Sequence, residues 1–387
     1  MKRMYLLLCV QLSLVATPWA DEVMQQMSLA EKIGQLIVLR VKMNDVATAL
    51  DMIGQYNIGA VIPLNTRISK WTLQAHHALI TAIRALYPNT LPIPIMVLED
   101  AEWGCAMRIP ELPAFPKAVI LGTIPPEQDD LIYQAGFAIG TQCKALGIDL
   151  NCTPVLDINS NPHNTVIGMR AFGGTAEQVT HTAQLFTQGL VDSGIIPCFK
   201  HFPGHGNTHV DSHLQLPVID SSYEKLWHCD LAPFRTLCAQ FPYSTVMVGH
   251  LALPALEPDG AIRSATLSPQ ITTVLLKEKL QFTGLVITDA LDMQALDNYG
   301  TPGQLALAAL QAGADLLLCP TDIPDVVTTI CEAIEMGIYT EAELDAHVLK
   351  VLEMKEQWGL VSNPKIPTLK VPLYEELIQQ LYAAATQ

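Results

Sequence analysis

Eight short apolar runs punctuate this chain of 387 residues, and what separates them limits the folds open to it. They are Gln35–Arg40, Gly59–Leu64, Ile93–Leu98, Asp149–Val155, Ile195–Lys200, Thr245–Gly249, Leu285–Thr288 and Asp315–Cys319, each four to seven residues long and rich in Val, Ile and Leu. Unbroken apolarity, rather than alternation, is what a parallel strand covered on both faces requires, because neither face meets water. Helical patterns fill the gaps at Lys70–Leu86, Glu127–Leu146, Glu177–Ser193, Tyr223–Gln240 and Gln270–Leu280, with terminal helices at Thr340–Leu360 and Leu373–Ala385. Ser28 with Glu31 and Thr340 with Glu343 form capping boxes, and Ser268–Pro269 places a cap and a tolerated proline where the 270–280 helix starts. Strand and helix alternating eight times predict an α/β fold, a single (β/α)8 TIM-type barrel. An open doubly wound sheet is the alternative, but no glycine-rich dinucleotide fingerprint follows the first strand.

Half of the residues are hydrophobic and 16% are charged, which supports a large core and excludes disorder. Residues 1–20 stand apart: Lys2 and Arg3 precede an apolar run from Met4 to Ala16, and Ala20 is the candidate cleavage point of a signal peptide. The expected organisation is therefore a leader of residues 1–20 and one barrel domain of residues 21–387, located in the cell envelope or periplasm, or in the cytoplasm if the segment is not a leader. Without Lys2 and Arg3 the balance is 20 basic to 38 acidic residues, which disfavours nucleic acid and offers no polybasic membrane patch. No stable membrane span is expected after cleavage, and a monomer is expected. The eight cysteines beyond Cys9 form no CxxC pair and read as buried free thiols.

Polar residues gather where the strands end. Glu99 and Asp100 follow the third run, Asp157 the fourth, Lys200 and His201 close the fifth, His250 the sixth and Asp289 the seventh. In a barrel these positions converge on one mouth. Asp289, closing an apolar strand, could be a nucleophile, a metal ligand or a charge stabiliser. Asp292 reads as a helix-start charge.

The stretch KHFPGHGNTHVDSH, residues 200–213, is the densest in proton carriers. His201, His205, His209 and His213 have the spacing of one helix face, as zinc ligands on a helix would, but Pro203 and two glycines oppose that helix, so no metal is expected. No cofactor is expected either. His205 reads as a loop brace, and His209 carries no role. Asp211 and His213, one residue apart, can point the same way on extended chain. The carboxylate would then fix the imidazole tautomer for proton transfer near neutral pH, or the two could form a structural pair.

The blocks KHFPGHG with DSH, NSNPHNTVIGMRAFGG from Asn159, SATLSPQITTVLLKEKLQFTGLVITDALDM from Ser264 and ALQAGADLLLCP from Ala309 resemble glycoside hydrolase family 3, in its β-N-acetylglucosaminidase branch. The resemblance runs from Met27 to Leu360. It implies a retaining glycosidase with a covalent glycosyl-enzyme intermediate, Asp289 as nucleophile, His213 as acid/base and Asp211 as its partner. It also implies that Asp100, Arg108, Arg170, Lys200 and His201 contact the sugar, a terminal N-acetylglucosamine of muropeptides or related glycans. Where the family commonly reads DQEGGRVQR, this chain has Trp103 for a glycine and Cys105 for an arginine. A β-glucosidase, a glycoside phosphorylase and a non-catalytic glycan-binding barrel are the competing expectations.

Overall fold

The computed structural model describes residues 18–65, 70–86, 93–161, 164, 166–206, 216–362 and 364–386. All eight apolar runs form strands: β1 (Ile37–Val41), β2 (Ala60–Pro63), β3 (Met96–Glu99), β4 (Leu150–Asn151), β5 (Ile196–Phe202), β6 (Thr245–Val248), β7 (Leu285–Thr288) and β8 (Leu317–Leu318). Each pairs in parallel with its sequence neighbour, and β1 also pairs with β8. An Ile287–Leu316 bridge and the 3.0 Å bond from the Thr288 N–H to the Leu316 carbonyl close the ring between β7 and β8. The result is the (β/α)8 barrel. Every residue of β2, β3, β5, β6 and β7 is buried, which is why those runs carry no alternation.

Both capping boxes form, with Ser28 and Thr340 each accepting from the N–H three residues on. Two helices differ from expectation. The 223–240 pattern splits into Tyr223–His228 and Ala232–Gln240. Pro233 lacks an N–H, and its ring would clash with the Cys229 carbonyl four residues back. The 270–280 segment is a helix of π type over Gln270–Lys279, still started by Ser268, whose hydroxyl accepts from the Ile271 N–H at 3.2 Å. All eight described cysteines are free, as expected, but Cys229 is exposed and Cys331 half-buried. The candidate boundary after Ala20 falls inside a short helix, Pro18–Met24, in which Ala20 and Val23 are buried. Among the described residues no helix is long and apolar enough to cross a membrane.

The strand N-terminal end is tied by charge. Asp149 holds Arg84 at 2.6 Å and Lys365 at 3.4 Å, and Asp315 holds Lys277, His347 and Lys350 within 3.1 Å. Lys355 lies fully buried with its ammonium 2.8 Å from Gln35 Oε1, and burial pulls its pKa down to about 7. In this fold that face stabilises, while the opposite one is free to carry chemistry.

Candidate active site

At the C-terminal ends of β3, β4 and β5 one chain of charged contacts crosses the barrel mouth. Lys200, on β5, projects a buried ammonium between Asp100 Oδ1 at 3.0 Å and Glu102 Oε1 at 2.8 Å. Asp100 gives its other oxygen to Arg108, which also lies 3.5 Å from Glu99. Arg170 grips Glu102 through two nitrogens, at 2.9 and 2.7 Å, and touches His201 Nε2 at 3.4 Å. His201 Nδ1 meets Asp157 Oδ2 at 2.6 Å, and the other Asp157 oxygen accepts the His205 N–H at 2.5 Å. The five expected sugar-contacting residues are therefore joined in one network, with Glu102 linking Lys200 to Arg170 and Asp157 fixing His201 at its end.

Electrostatics follow from the pairing. Burial alone would push the Asp100 carboxyl up, but Lys200 and Arg108 overcome it and hold the group well below the usual carboxylate range. Glu102 is likewise penalised by burial and drawn down to about 2 by Arg170 and Lys200. Burial disfavours the Lys200 charge, yet Asp100 and Glu102 more than offset this and raise its pKa. Glu99 goes the other way, because full burial outweighs His76 and Arg108. Asp100, Glu102 and Lys200 thus keep their charges through the neutral range.

Asp289 lies across from this network in the loop leaving β7. Its backbone N–H donates to the Val248 carbonyl at 2.9 Å, and Oδ1 accepts the Ala290 N–H at 2.8 Å. Burial opposes its ionisation, but His250, His201, the Ala290 N–H and Lys200 together lower its pKa. His250 is buried and fixed by Thr266 Oγ1 and the Ala290 carbonyl, both at 2.9 Å, so it braces the loop that bears Asp289. The half-buried Asp289 carboxylate is ionised, and no cation forms an ion pair with it among the described residues. Such a group is available to attack an electrophilic carbon.

His201 lies on β5 while His205 sits in the turn beyond it, so these two histidines do not share the helix face that their spacing suggested. His205 is a brace: its N–H holds Asp157, and its carbonyl accepts from Asn164 Nδ2 at 2.9 Å. Gly206 is pressed against Ile158, whose carbonyl oxygen would lie 1.7 Å from any Cβ, so only glycine fits. Asp211 and His213, like His209, lie outside the described residues. Further along, Pro217 and Ile219 are tied to the loop after β6, with the Ala252 and Ile219 N–H groups bonding the Pro217 and Ala252 carbonyls at 2.8 Å.

Three residues of the mouth were not singled out from the sequence. Glu102 is the fork between Lys200 and Arg170, and His76 reaches Glu99 at 3.3 Å from the Leu73–Ala85 helix. Arg40, on β1, makes a two-nitrogen pair with Asp292, one contact at 3.0 Å. Asp292 therefore anchors the loop after Asp289 to β1 and starts no helix. Arg40 closes the first apolar run, so the strand-end criterion applied to the other strands would have found it. Replacing Arg40 by Met leaves Asp292 unpaired and is expected to cost roughly 1–3 kcal/mol. In urea denaturation, a double-mutant cycle with Asp292→Asn should show a coupling of about 0.5–3 kcal/mol. Additive losses would mean that the pair is idle.

Residues 28–354 match the family described as glycosyl hydrolase family 3 N terminal domain. The chain belongs to glycosyl hydrolase family 3. It is similar to the β-hexosaminidase LpqI of Mycobacterium tuberculosis, 31% identical over 347 residues, covering 85% of this chain and 83% of that protein. It is also similar to β-hexosaminidase A of Pseudoalteromonas piscicida, at 30% identity over 79% of this chain, but spans only 54% of that protein's length. A solved family 3 β-N-acetylglucosaminidase from Paenibacillus sp. FPU-7 superposes with a TM-score of 0.83 at 31% identity, covering 93% of this chain and 69% of that one.

Within family 3 the two departures in the loop after β3 are now explicable. Cys105 is buried with its sulfur 3.7 Å from that of Cys143, so the position at which the resemblance leads one to expect arginine is part of the packing. Trp103 is half-buried and carries the Lys117 ammonium 5.1 Å above its ring. Arg108, Arg170 and Lys200 pair with Asp100 and Glu102 without an arginine at 105.

Proposed function

We propose that this protein is an exo-acting, retaining β-N-acetylglucosaminidase that releases terminal β-linked N-acetylglucosamine, with peptidoglycan-derived muropeptides as its substrates. The observation that carries this reading is the ionised Asp289 placed at the mouth opposite the Asp100–Lys200–Glu102–Arg170 network. Asp100, Arg108, Lys200, Arg170 and His201 would hold the sugar hydroxyls, since charged donors and acceptors with fixed positions need no reorganisation as charge develops. An Asp289 oxygen then attacks the anomeric carbon as the glycosidic bond breaks through an oxocarbenium-like transition state. In this reading His213, oriented by Asp211, gives its proton to the leaving oxygen. It next takes a proton from the water that frees the sugar from Asp289. The related β-hexosaminidases support the choice of sugar, and the muropeptide source rests on family resemblance alone.

The test is sugar choice and acceptor together. The enzyme should hydrolyse 4-nitrophenyl β-N-acetylglucosaminide at least tenfold faster than the matching β-glucoside. Free N-acetylglucosamine should be the product with or without inorganic phosphate. Preference for the glucoside would make it a β-glucosidase, and accumulation of a sugar 1-phosphate would make it a phosphorylase.

A further inference from the structure

Glu99 closes β3 with its side chain buried, in a strand that otherwise reads Met-Val-Leu. His76, fully buried on the Leu73–Ala85 helix, brings Nε2 to 3.3 Å from one Glu99 oxygen, and Arg108 brings Nε to 3.5 Å from the other. No hydrogen bond is made by either Glu99 oxygen, either His76 nitrogen or Arg108 Nε among the described residues. A buried carboxyl held only by such charge contacts is costly, and an apolar residue would close the strand at less cost. The position of Arg108 supplies a reason for it. Consecutive residues at a strand end point opposite ways, so Arg108 reaches both Glu99 and Asp100 only by lying across the end of β3. Its Nη2 goes to Asp100 while its Nε faces Glu99. Its backbone is fixed separately, the N–H donating to the Cys105 carbonyl and the carbonyl accepting from Asn65 Nδ2, both at 3.1 Å.

We infer that Glu99 is a positioning residue for sugar binding: its carboxylate holds the Arg108 guanidinium across the strand end, beside Asp100, where both would meet the sugar. The inference rests on the glycosidase reading given above. With Glu99 ionised, Arg108 lies between two carboxylates and its planar fork has one orientation. With Glu99 neutral, Asp100 alone holds it, and the grip on the sugar weakens. The groups facing Glu99 are His76 from the helix, with Arg108, Asp100 and the Cys105 thiol from its own loop. Burial is the largest influence on the carboxyl. It outweighs the attraction of His76 and Arg108, and Asp100 adds to it, so Glu99 takes up its proton above the ordinary carboxylate range. Asp289 and Asp100, whose pKa values are lowered, are still ionised there.

The deciding experiment is the pH profile of kcat/KM on 4-nitrophenyl β-N-acetylglucosaminide for the full-length parent, Glu99→Gln and His76→Phe. The acid/base must hold its proton for the first chemical step, so it adds no acid limb to this profile. As pH falls, the parent should lose about tenfold in a step centred above pH ~4, and fall again where Asp289 is protonated. Glu99→Gln should start at the lower level, lack the upper step and keep kcat within about threefold, which places the loss in KM. His76→Phe removes an attraction that favours the ionised form, so it should move the upper step to higher pH. A Glu99→Gln variant with the parental profile, or with its loss in kcat at unchanged KM, overturns the positioning role, and so does an unmoved step in His76→Phe. If Glu99→Gln does not fold, the parent step and its displacement in His76→Phe decide alone. A parent without turnover overturns the glycosidase reading instead, and N-acetylglucosamine binding followed by calorimetry against pH then decides the role of Glu99. A step in affinity that His76→Phe moves supports the role, and an affinity that stays level overturns it.

Discussion

Replacing Asp289 by Ala is expected to lower kcat on 4-nitrophenyl β-N-acetylglucosaminide by about 10⁴-fold or more, the scale of losing a residue that forms bonds to the reacting atom. The Asp289 side chain accepts one backbone hydrogen bond, from Ala290, and forms no ion pair among the described residues. The variant should therefore stay folded, with a thermal midpoint close to that of the parent, and should still bind N-acetylglucosamine through the opposite network. Azide separates a nucleophile from a charge stabiliser. Entering the space that the carboxylate vacates, it would attack the anomeric carbon as the aryl oxide leaves, and the α-glycosyl azide would accumulate. A variant that keeps parental activity would show that the attacking group lies elsewhere. Because His250, His201, Ala290 and Lys200 outweigh burial and lower the Asp289 pKa, the acid limb of kcat/KM governed by this group should lie below the ordinary carboxylate range.

Lys200→Met is expected to damage both stability and catalysis. The side chain is buried, and removing its ammonium leaves the adjoining carboxylates of Asp100 and Glu102 facing each other, with only Arg108 and Arg170 at their far sides. Breaking a buried pair by deleting one partner costs about 3–5 kcal/mol, since the other charge stays desolvated. Turnover should fall by about 10²–10³-fold, as expected when a preorganised charged group is lost from a site. The pH dependence has a definite sign. In the parent, the lowered pKa values of Asp100 and Glu102 contribute stability above the unfolded carboxylate range, and this is lost as pH falls toward about 2. Without Lys200 both pKa values rise, so protonation relieves the repulsion sooner. The deficit of the variant should therefore narrow as pH drops through about 4, the ordinary carboxylate value. Chemical denaturation at several pH values would show this, and a deficit that did not vary with pH would contradict the electrostatic account.

Much of this was legible in the sequence because buried parallel strands leave a strong trace. Each apolar run became a strand, and the polar residue closing a run arrived at the mouth, as Lys200, His201 and Asp289 illustrate. What pairs with what was not legible, because it depends on contacts such as Arg40 to Asp292, 252 positions apart. Glu102 was passed over because it lies past the strand end, where nothing local marks it as the fork between Lys200 and Arg170. The broken 223–240 helix was readable in principle from Pro233, but its apolar spacing continues through the break. Asp211 and His213 remain legible as sequence only.

The charged chain at the mouth binds the ends of β3, β4 and β5 to one another, whereas His250 and Arg40 bind the loop of Asp289 to β6 and β1. The mouth is accordingly two jaws, one that bears the charged network and one that bears Asp289. They meet along the seam between β5 and β6, where the pairing register slips between Phe199 and Phe202. At that seam a Cβ on Gly249 would sit 3.1 Å from that of His201. The spacing between the two jaws is thus set by the close approach of Gly249 to the His201 side chain. A methyl group added at 249 would press on His201 and so push the two jaws apart.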